Sequence, residues 1–350
     1  MGWERVIHDI PTLFDLLALT MCIGALGCRM WVIPTTDGRD SQDILGRLWL
    51  LLAVCLGTLV LSSAGLLLVR AAGMSDYPLK AVFPVLPTIL YKTHFGWLWL
   101  VRIVALLALC IGWFMGRKRL DSHAVPAFML IAAGVIAFTR SASGHAADEG
   151  DFRLPELMDW LHLMAASFWG GGLLVLSTSI IPISVKRAER EPSLIAHIIR
   201  RFSFLAGIAL GVIVITAMYN AWLEVGSLEA LFKTQYGWTI IAKLLLLSGL
   251  VVLGALNRYV TIPLLQQGAG ESVIRRGFLY NLLTLRWRRA SIARDKRDMT
   301  RAACRFLRNV RLEAVLIVGA LLCAALLLNE VPARHLPHAD GHSIERAEAK

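Results

Sequence analysis

The sequence has little charge and lacks the motifs that mark common soluble enzymes. Charged residues make up 17% of the 350 residues, hydrophobic residues make up 57%, and the mean hydropathy is +0.62. A soluble domain of this length could not keep such a composition in solution. No glycine-rich loop ending in Gly-Lys-Ser or Gly-Lys-Thr is present, which excludes a P-loop ATPase. We expect a membrane protein with no enzymatic activity of its own.

The cysteines form no recognisable metal or redox framework. None of the six belongs to a Cys-x-x-Cys pair, so neither a zinc site nor a thioredoxin-like motif is indicated. A thiol inside an apolar run is usually a small packing residue, and five of the six lie in such runs: Cys22, Cys28, Cys55, Cys110 and Cys323. Cys22 stays open as a secondary candidate ligand for a soft metal.

Long apolar runs are what the sequence has in abundance. A helix needs about 20 apolar residues to cross a bilayer. Runs of this length lie near 10–33, 47–70, 94–116, 123–140, 155–180, 201–223, 237–257 and 310–330. They predict an all-α membrane protein with eight transmembrane helices.

Basic residues are distributed unevenly between the two sides of these spans. The odd-numbered loops hold about twice as many lysines and arginines as the even-numbered loops and the two ends together. Because basic loops stay in the cytoplasm, both termini are expected outside. The longest basic loop, 258–309, is expected to contact anionic lipid head groups rather than nucleic acid, since it lies between two spans.

The chain also matches itself. Tyr91-Lys92-Thr93-His94-Phe95-Gly96-Trp97 reappears as Phe232-Lys233-Thr234-Gln235-Tyr236-Gly237-Trp238. An earlier pair of matching segments centres on Asp15 and Asp159, and a weaker pair aligns Ser62 with Thr216. All three keep chain order, which predicts two tandem four-helix repeats that are parallel in the membrane. The predicted domains are a first repeat over 1–140, a second over 141–334 with its basic loop, and a tail over 335–350.

Two basic residues follow the repeated motif at the same depth. Arg102 and Lys243 fall about 16 Å along their helices from the motif, at 1.5 Å per residue, which is near mid-bilayer. A charge there must meet a carboxylate, a carbonyl or water. We expect Asp15 and Asp159 to be the carboxylates that pair with these cations.

Histidines mark where the two repeats differ. His94 corresponds to Gln235, and His162 corresponds to Ala18. On the predicted topology most histidines lie on the outer side of the membrane, which favours chemistry facing outward.

The fifth span carries the densest set of candidate ligands. Met158, Asp159 and His162 share one side of a helix because they are three and four residues apart. Asp159 could orient the imidazole, or could instead pair with a buried cation or cap the helix. Imidazole with thioether suits copper. The predicted metal ligands are His94, His145 and His162, with Asp159 orienting and Met158 or Met164 accessory. A weaker metal-collecting site is predicted in the tail at His335, His338 and His342.

A group of motifs in the second half resembles a known family. Ser143-Gly144-His145, Asp159-Trp160-Leu161-His162 and Trp169-Gly170-Gly171-Gly172 are similar to the copper-resistance D (CopD, PcoD) membrane proteins, as are Tyr219-Asn220-Ala221-Trp222 and Asn257-Arg258. The resemblance implies a multi-pass protein of the bacterial inner membrane that moves copper inward from the periplasm. It also implies a periplasmic copper carrier of the CopC type as partner.

Two alternatives remain open from the sequence. Paired histidines on neighbouring spans are also how membrane oxidoreductases hold haem b, and His94 with His162 could supply one such pair. A non-transporting membrane partner that delivers copper to a periplasmic protein would present the same residues.

Overall fold

The computed structural model describes residues 2–34, 39–75, 77–118, 122–144, 153–182, 192–225, 228–261 and 296–330. These residues are helical and contain no β-strand. Eight of their helices are long and apolar enough to cross a membrane: Asp9–Val32, Gln42–Ser75, His94–Gly116, Ala124–Ser141, Leu154–Ile180, His197–Leu223, Gln235–Tyr259 and Cys304–Asn329. The all-α class and the eight spans predicted from the sequence are confirmed. The predicted ends differ from the helix ends by a few residues, because hydropathy follows the apolar part of a helix rather than its hydrogen bonds.

The helices are numbered here in chain order. They are α1 (Gly2–Gly27), α2 (Arg39–Ser75), α3 (Leu86–Lys92), α4 (His94–Gly116), α5 (Ala124–Ser141), α6 (Leu154–Ala166), α7 (Gly172–Val175), α8 (Pro192–Val225), α9 (Leu228–Lys233), α10 (Gln235–Leu256) and α11 (Lys296–Asn329). A π-helical turn, Cys28–Val32, extends α1, and another, Asn257–Thr261, extends α10. Two short 3₁₀ turns, Leu79–Ala81 and Phe83–Val85, lead into α3.

The first and fifth spans form the centre of the bundle, and their backbones touch. A Cβ atom on Gly24 of α1 would overlap the Gly171 carbonyl carbon, and one on Gly171 would overlap the Thr20 carbonyl oxygen. Small residues let membrane helices approach this closely, so that backbone packs directly on backbone. In the fifth span 72% of the most apolar window is buried, against 6% in the seventh. The core therefore lies around this crossing, and the last two spans lie at the edge.

The fifth span reaches this crossing through an irregular backbone. α6 passes into a π-helical turn, Ser167–Gly171, then α7, and then a second π-helical turn, Leu176–Ile180. Each π turn inserts an extra residue into the helix and rotates the side chains that follow it. The three consecutive glycines lie in this stretch, and a Cβ on Gly172 would come within 2.5 Å of the Phe202 ring. Because these glycines have no side chain, α1 and α8 can both pack closely against the fifth span.

The other spans surround this centre. α2 packs on α1, α4 on α5 and α2, α8 on α6, and α11 on both α10 and α1. Two tryptophans join α2 to α4 by reciprocal hydrogen bonds. Trp49 Nε1 donates to the Trp113 carbonyl at 3.1 Å, and Trp113 Nε1 donates to the Trp49 carbonyl at 3.0 Å. Each indole N–H thus has a backbone carbonyl as its acceptor inside the bundle. This matters because an unpaired donor in the bilayer is costly.

The repeated motif forms the same corner twice. Thr93 caps α4 by accepting from the Gly96 N–H at 3.0 Å, and Thr234 caps α10 by accepting from the Gly237 N–H at 2.9 Å. A short helix precedes each cap, α3 in one case and α9 in the other. A Cβ on either glycine would overlap a carbonyl oxygen of that short helix. The motif is therefore a tight helix–cap–helix corner. That the halves repeat as wholes, with the predicted domain limits, stays a prediction.

Candidate functional site

Asp15 is the centre of a buried ionic cluster in the first half. Its Oδ1 accepts from Arg102 Nη2 at 2.5 Å and its Oδ2 accepts from Arg140 Nη1 at 2.6 Å. Ser62 Oγ donates to Oδ1 at 3.2 Å, while Arg102 Nε donates to Ser63 Oγ at 3.0 Å. Asp15 is 0% exposed and Arg102 is 1% exposed. The cluster joins α1, α2, α4 and α5, and the single carboxylate of Asp15 is the counter-charge that both buried arginines share.

Arg140 extends this cluster toward the second half of the chain. Besides its bond to Asp15, it interacts electrostatically with Asp159. Sequence reasoning missed this residue, although it is the last residue of the predicted fourth span, 123–140, because its partners are brought close only by the fold. The signal that could have found it is a lone arginine directly after an apolar run, before the polar segment begins.

Asp159 bonds to a serine of α5 and lies within electrostatic range of the seventh span. Its Oδ2 accepts from Ser141 Oγ at 2.7 Å, and Lys243 of α10 interacts with it electrostatically. Asp159 thus has one hydroxyl partner, and two cations, Lys243 and Arg140, lie near enough to offset part of the cost of its burial. The two carboxylates that the sequence matches between the repeats therefore share Arg140, while Arg102 pairs with Asp15 and Lys243 lies near Asp159.

His162 is held by a threonine of α8. Its Nδ1 lies 3.0 Å from Thr216 Oγ1. Thr216 Oγ1 also lies 2.8 Å from the Val212 carbonyl, four residues earlier in the same helix, which can only accept. Because its one proton is directed to that carbonyl, the hydroxyl is left to accept from the ring, and from this network we assign the ring hydrogen to Nδ1. The lone pair of the neutral imidazole is therefore on Nε2, the atom that can bind a metal.

The packing of α6 explains why Asp159 and His162 have different partners. α6 packs on α8 along one side and on α5 along another. Asp159 bonds Ser141 on α5, whereas His162 bonds Thr216 on α8. The group that fixes Nδ1 is thus Thr216 and not Asp159, which sequence reasoning had assigned to this role. The alignment of Ser62 with Thr216 was the available signal: both hydroxyls support the polar residue of a neighbouring span.

The remaining predicted ligands are dispersed. His94 is exposed as the first residue of α4, while Met158 and Met164 are partly buried in α6. α5 packs between α4 and α6. His145, His335, His338 and His342 lie outside the described residues. Within the described ranges, no three His, Cys, Asp or Glu residues are grouped as a metal site. The predicted ligand set stays a prediction.

Cys22 is packed in the apolar core. It is fully buried in α1, close enough to Cys55 of α2 for the two thiols to interact electrostatically. This is the environment of a packing residue.

A second buried polar cluster joins the last two spans. Asn257 Nδ2 donates to Glu313 Oε1 at 2.8 Å, and Asn309 Nδ2 donates to Asn257 Oδ1 at 2.9 Å. Glu313 is 2% exposed. The adjacent Arg258 donates from Nη1 to the Ser203 carbonyl at 3.0 Å, which ties this end of α10 to α8. Of these residues, sequence reasoning had singled out only the Asn257-Arg258 pair.

Comparison with known proteins covers both halves of the chain. Residues 12–154 match the family described as "Copper resistance protein D-like, N-terminal domain", and residues 196–327 match "Copper resistance protein D". No solved structure matches the chain.

Three curated relatives are similar over long stretches. Copper resistance protein D of Pseudomonas syringae pv. tomato is 28% identical over 244 residues, which is 68% of this chain and 76% of the relative. Inner membrane protein YebZ of Escherichia coli (strain K12) is 29% identical over 256 residues, 71% of this chain and 82% of the relative. Copper transport protein CutJ of Bacillus subtilis (strain 168) is 30% identical over 174 residues, 49% of this chain. That match spans only 32% of CutJ. With both family regions present in order on an eight-span helical bundle, this chain belongs to the copper resistance protein D family of membrane proteins.

Proposed function

We propose that this protein transfers copper across the bacterial inner membrane from the periplasmic side and so contributes to copper homeostasis. The observation that carries the proposal is the hydrogen bond between His162 and Thr216, which leaves Nε2 as the acceptor of an imidazole within a spanning helix. An intramembrane histidine with a fixed tautomer is expensive to keep without a function. Family membership supports copper as the cargo.

The surroundings of His162 suit passage better than storage. Met158 and Met164 lie on the same helix and offer thioethers, which together with imidazole favour copper over hard cations. Lys243, however, interacts electrostatically with both His162 and Asp159. A positive charge beside the ligand lowers the affinity for a cation. Conduction requires a site that is favourable enough to enter and weak enough to leave.

Delivery to this site would begin outside the membrane. His94 is exposed at the start of α4, where it could take copper first, and His145 on the following outer loop would serve the same step. The histidines of the tail, His335, His338 and His342, would collect the ion more loosely. A periplasmic carrier of the CopC type would supply it. Because the sequence has no P-loop, movement would follow a gradient or a handover rather than ATP hydrolysis.

Copper uptake into sealed liposomes tests this function. The purified full chain is reconstituted with an entrapped copper-sensitive fluorophore, and total metal is measured in parallel. We expect uptake above that of empty liposomes, and a loss of at least about tenfold for His162→Ala, the size of effect that metal-site changes produce. Gln235→Ala, at the position that matches His94 in the second repeat, is the control and should transport normally.

The alternatives give different readings in the same preparation. Copper bound without uptake would identify a non-transporting partner that delivers the metal. A Soret absorbance band in the purified protein would identify a haem b protein. Normal uptake by both His94→Ala and His162→Ala would show that these residues are not the site.

A further inference from the structure

A cavity apart from His162 opens beside the Asp15 cluster. It has a volume of ≈ 130 Å³ and lies where α2, α5 and α11 end and α4 begins. A single buried water needs about 10–15 Å³ by this measure, so the cavity has room for a small molecular group. Neither His162 nor Thr216 is among its described lining residues.

The described lining of this cavity is positively charged. Three arginines line it, Arg70, Arg102 and Arg140, and no Asp or Glu is among its described lining residues. Asp15 lies behind two of them and neutralises one positive charge. On another side, Asp9 Oδ1 accepts from Asn329, a lining residue, at 2.7 Å. The described lining itself carries only positive charge, and a partly enclosed site lined in this way favours an anion.

The arginines have unused hydrogen-bond donors. Each guanidinium carries five N–H donors. Within the described residues, Arg102 directs Nε to Ser63 and Nη2 to Asp15, and Arg140 directs Nη1 to Asp15. Arg140 Nε is buried and has no hydrogen-bond partner there. A buried donor without a partner is costly, and an oxyanion in the cavity would supply acceptors.

Aromatic rings position two of the three guanidinium groups. Arg70 lies over the Phe95 ring at 5.9 Å from its centroid, and Arg102 lies over the Trp99 ring at 5.3 Å. Both rings line the cavity. A guanidinium stacked on a ring face keeps its N–H edge available for the planar, bidentate contacts that phosphate oxygens accept.

We propose that this cavity binds a phosphate-type oxyanion, either free phosphate or the phosphodiester head group of an anionic lipid. The chemistry is shared, because both present two or more oxygens that carry negative charge to a set of arginines. The proposal is independent of copper transfer, since it uses none of the predicted metal ligands.

Binding to the purified full chain in a phosphate-free maltoside detergent tests the proposal. One arm titrates inorganic phosphate by calorimetry, and the other measures retained phosphatidylglycerol by native mass spectrometry. We expect one of the two to bind to the unaltered protein, and Arg70→Gln to lower its affinity at least about tenfold, as loss of a charged hydrogen bond does. Arg70 is exposed and makes no ion pair with Asp15, so this variant should fold.

Arg117 provides a matched control. It lies over the Phe114 ring at 4.4 Å, after the opposite end of α4 and outside the cavity. Arg117→Gln should bind like the unaltered protein. Binding of phosphate that phosphatidylglycerol does not displace would assign the site to a free oxyanion, and the reverse would assign it to a lipid.

Three outcomes would overturn the proposal. The first is that neither ligand binds. The second is that Arg70→Gln and Arg117→Gln bind equally well. The third is binding that occurs only after Asp148, Glu149 and Asp151 are changed to amides, which would show that acidic residues of the following loop occupy the cavity.

Discussion

Arg140 and Asp15 are 125 positions apart in sequence, yet Arg140 Nη1 donates to Asp15 Oδ2 at 2.6 Å. This bond connects the last turn of the fourth span to the first span. Arg140 also interacts electrostatically with Asp159 of the fifth span. One side chain thus links the two carboxylates that the sequence matches between the predicted repeats.

Replacing Asp15 should destabilise the protein strongly. Asp15→Asn would leave Arg102 and Arg140 buried without their counter-charge, which typically costs about 3–5 kcal/mol. The midpoint of unfolding in mixed detergent, read by circular dichroism, measures the change. Glu229→Gln is the control, because the Glu229–Lys233 pair is 71% and 73% exposed and such pairs contribute little. Equal stability of the two variants would show that the Asp15 cluster is not needed for folding.

Thr216 should affect copper handling without affecting the fold. Thr216→Val keeps the side-chain shape but removes the hydroxyl that fixes the His162 tautomer, so we expect copper uptake to fall about 10–100-fold. Thr216→Ser restores the hydroxyl and should restore uptake, as measured in the liposome assay. A valine variant that transports normally would mean that the ring needs no orienting partner.

The crossing of the first and fifth spans should not tolerate a methyl group. Gly24→Ala places a Cβ against the backbone of Gly171, and overpacking of this kind costs about 1–3 kcal/mol. Gly57→Ala is matched, since a Cβ there has no neighbour within 4 Å and alanine favours the helix. Thermal unfolding in detergent should separate the two variants. If Gly24→Ala is as stable as Gly57→Ala, the two backbones do not pack directly on each other at this crossing.

The predicted topology can be tested by fusion. A reporter joined after Lys350 should be active only on the periplasmic side, because the basic odd-numbered loops are expected in the cytoplasm. A second fusion within the 258–309 loop should give the opposite reading. A cytoplasmic reading after Lys350 would place His94 on the wrong side for periplasmic uptake.

Hydropathy alone was enough to predict the eight spans, because in a bilayer the backbone must satisfy its own hydrogen bonds and only helices or closed barrels can do so. The repeated Lys-Thr motif likewise predicted matching segments, and Thr93 and Thr234 do cap their helices alike. The sequence aligned Thr216 with Ser62, but it could not show that Thr216 bonds His162, since that contact depends on how α6 packs on α8. Arg140 was missed for a similar reason: its partner is brought close only by the fold.

The contact between Gly24 and Gly171 also affects how the protein is made. Three spans lie between the two glycines in the chain. Synthesis proceeds at about 5–20 residues per second, so Gly24 is synthesised roughly 7–30 s before Gly171. During that interval the face of α1 that carries Gly24 has no fifth span to pack against. Assembly of the amino-terminal spans is therefore completed only after the fifth span has been inserted, and biogenesis of the two halves is interdependent rather than sequential.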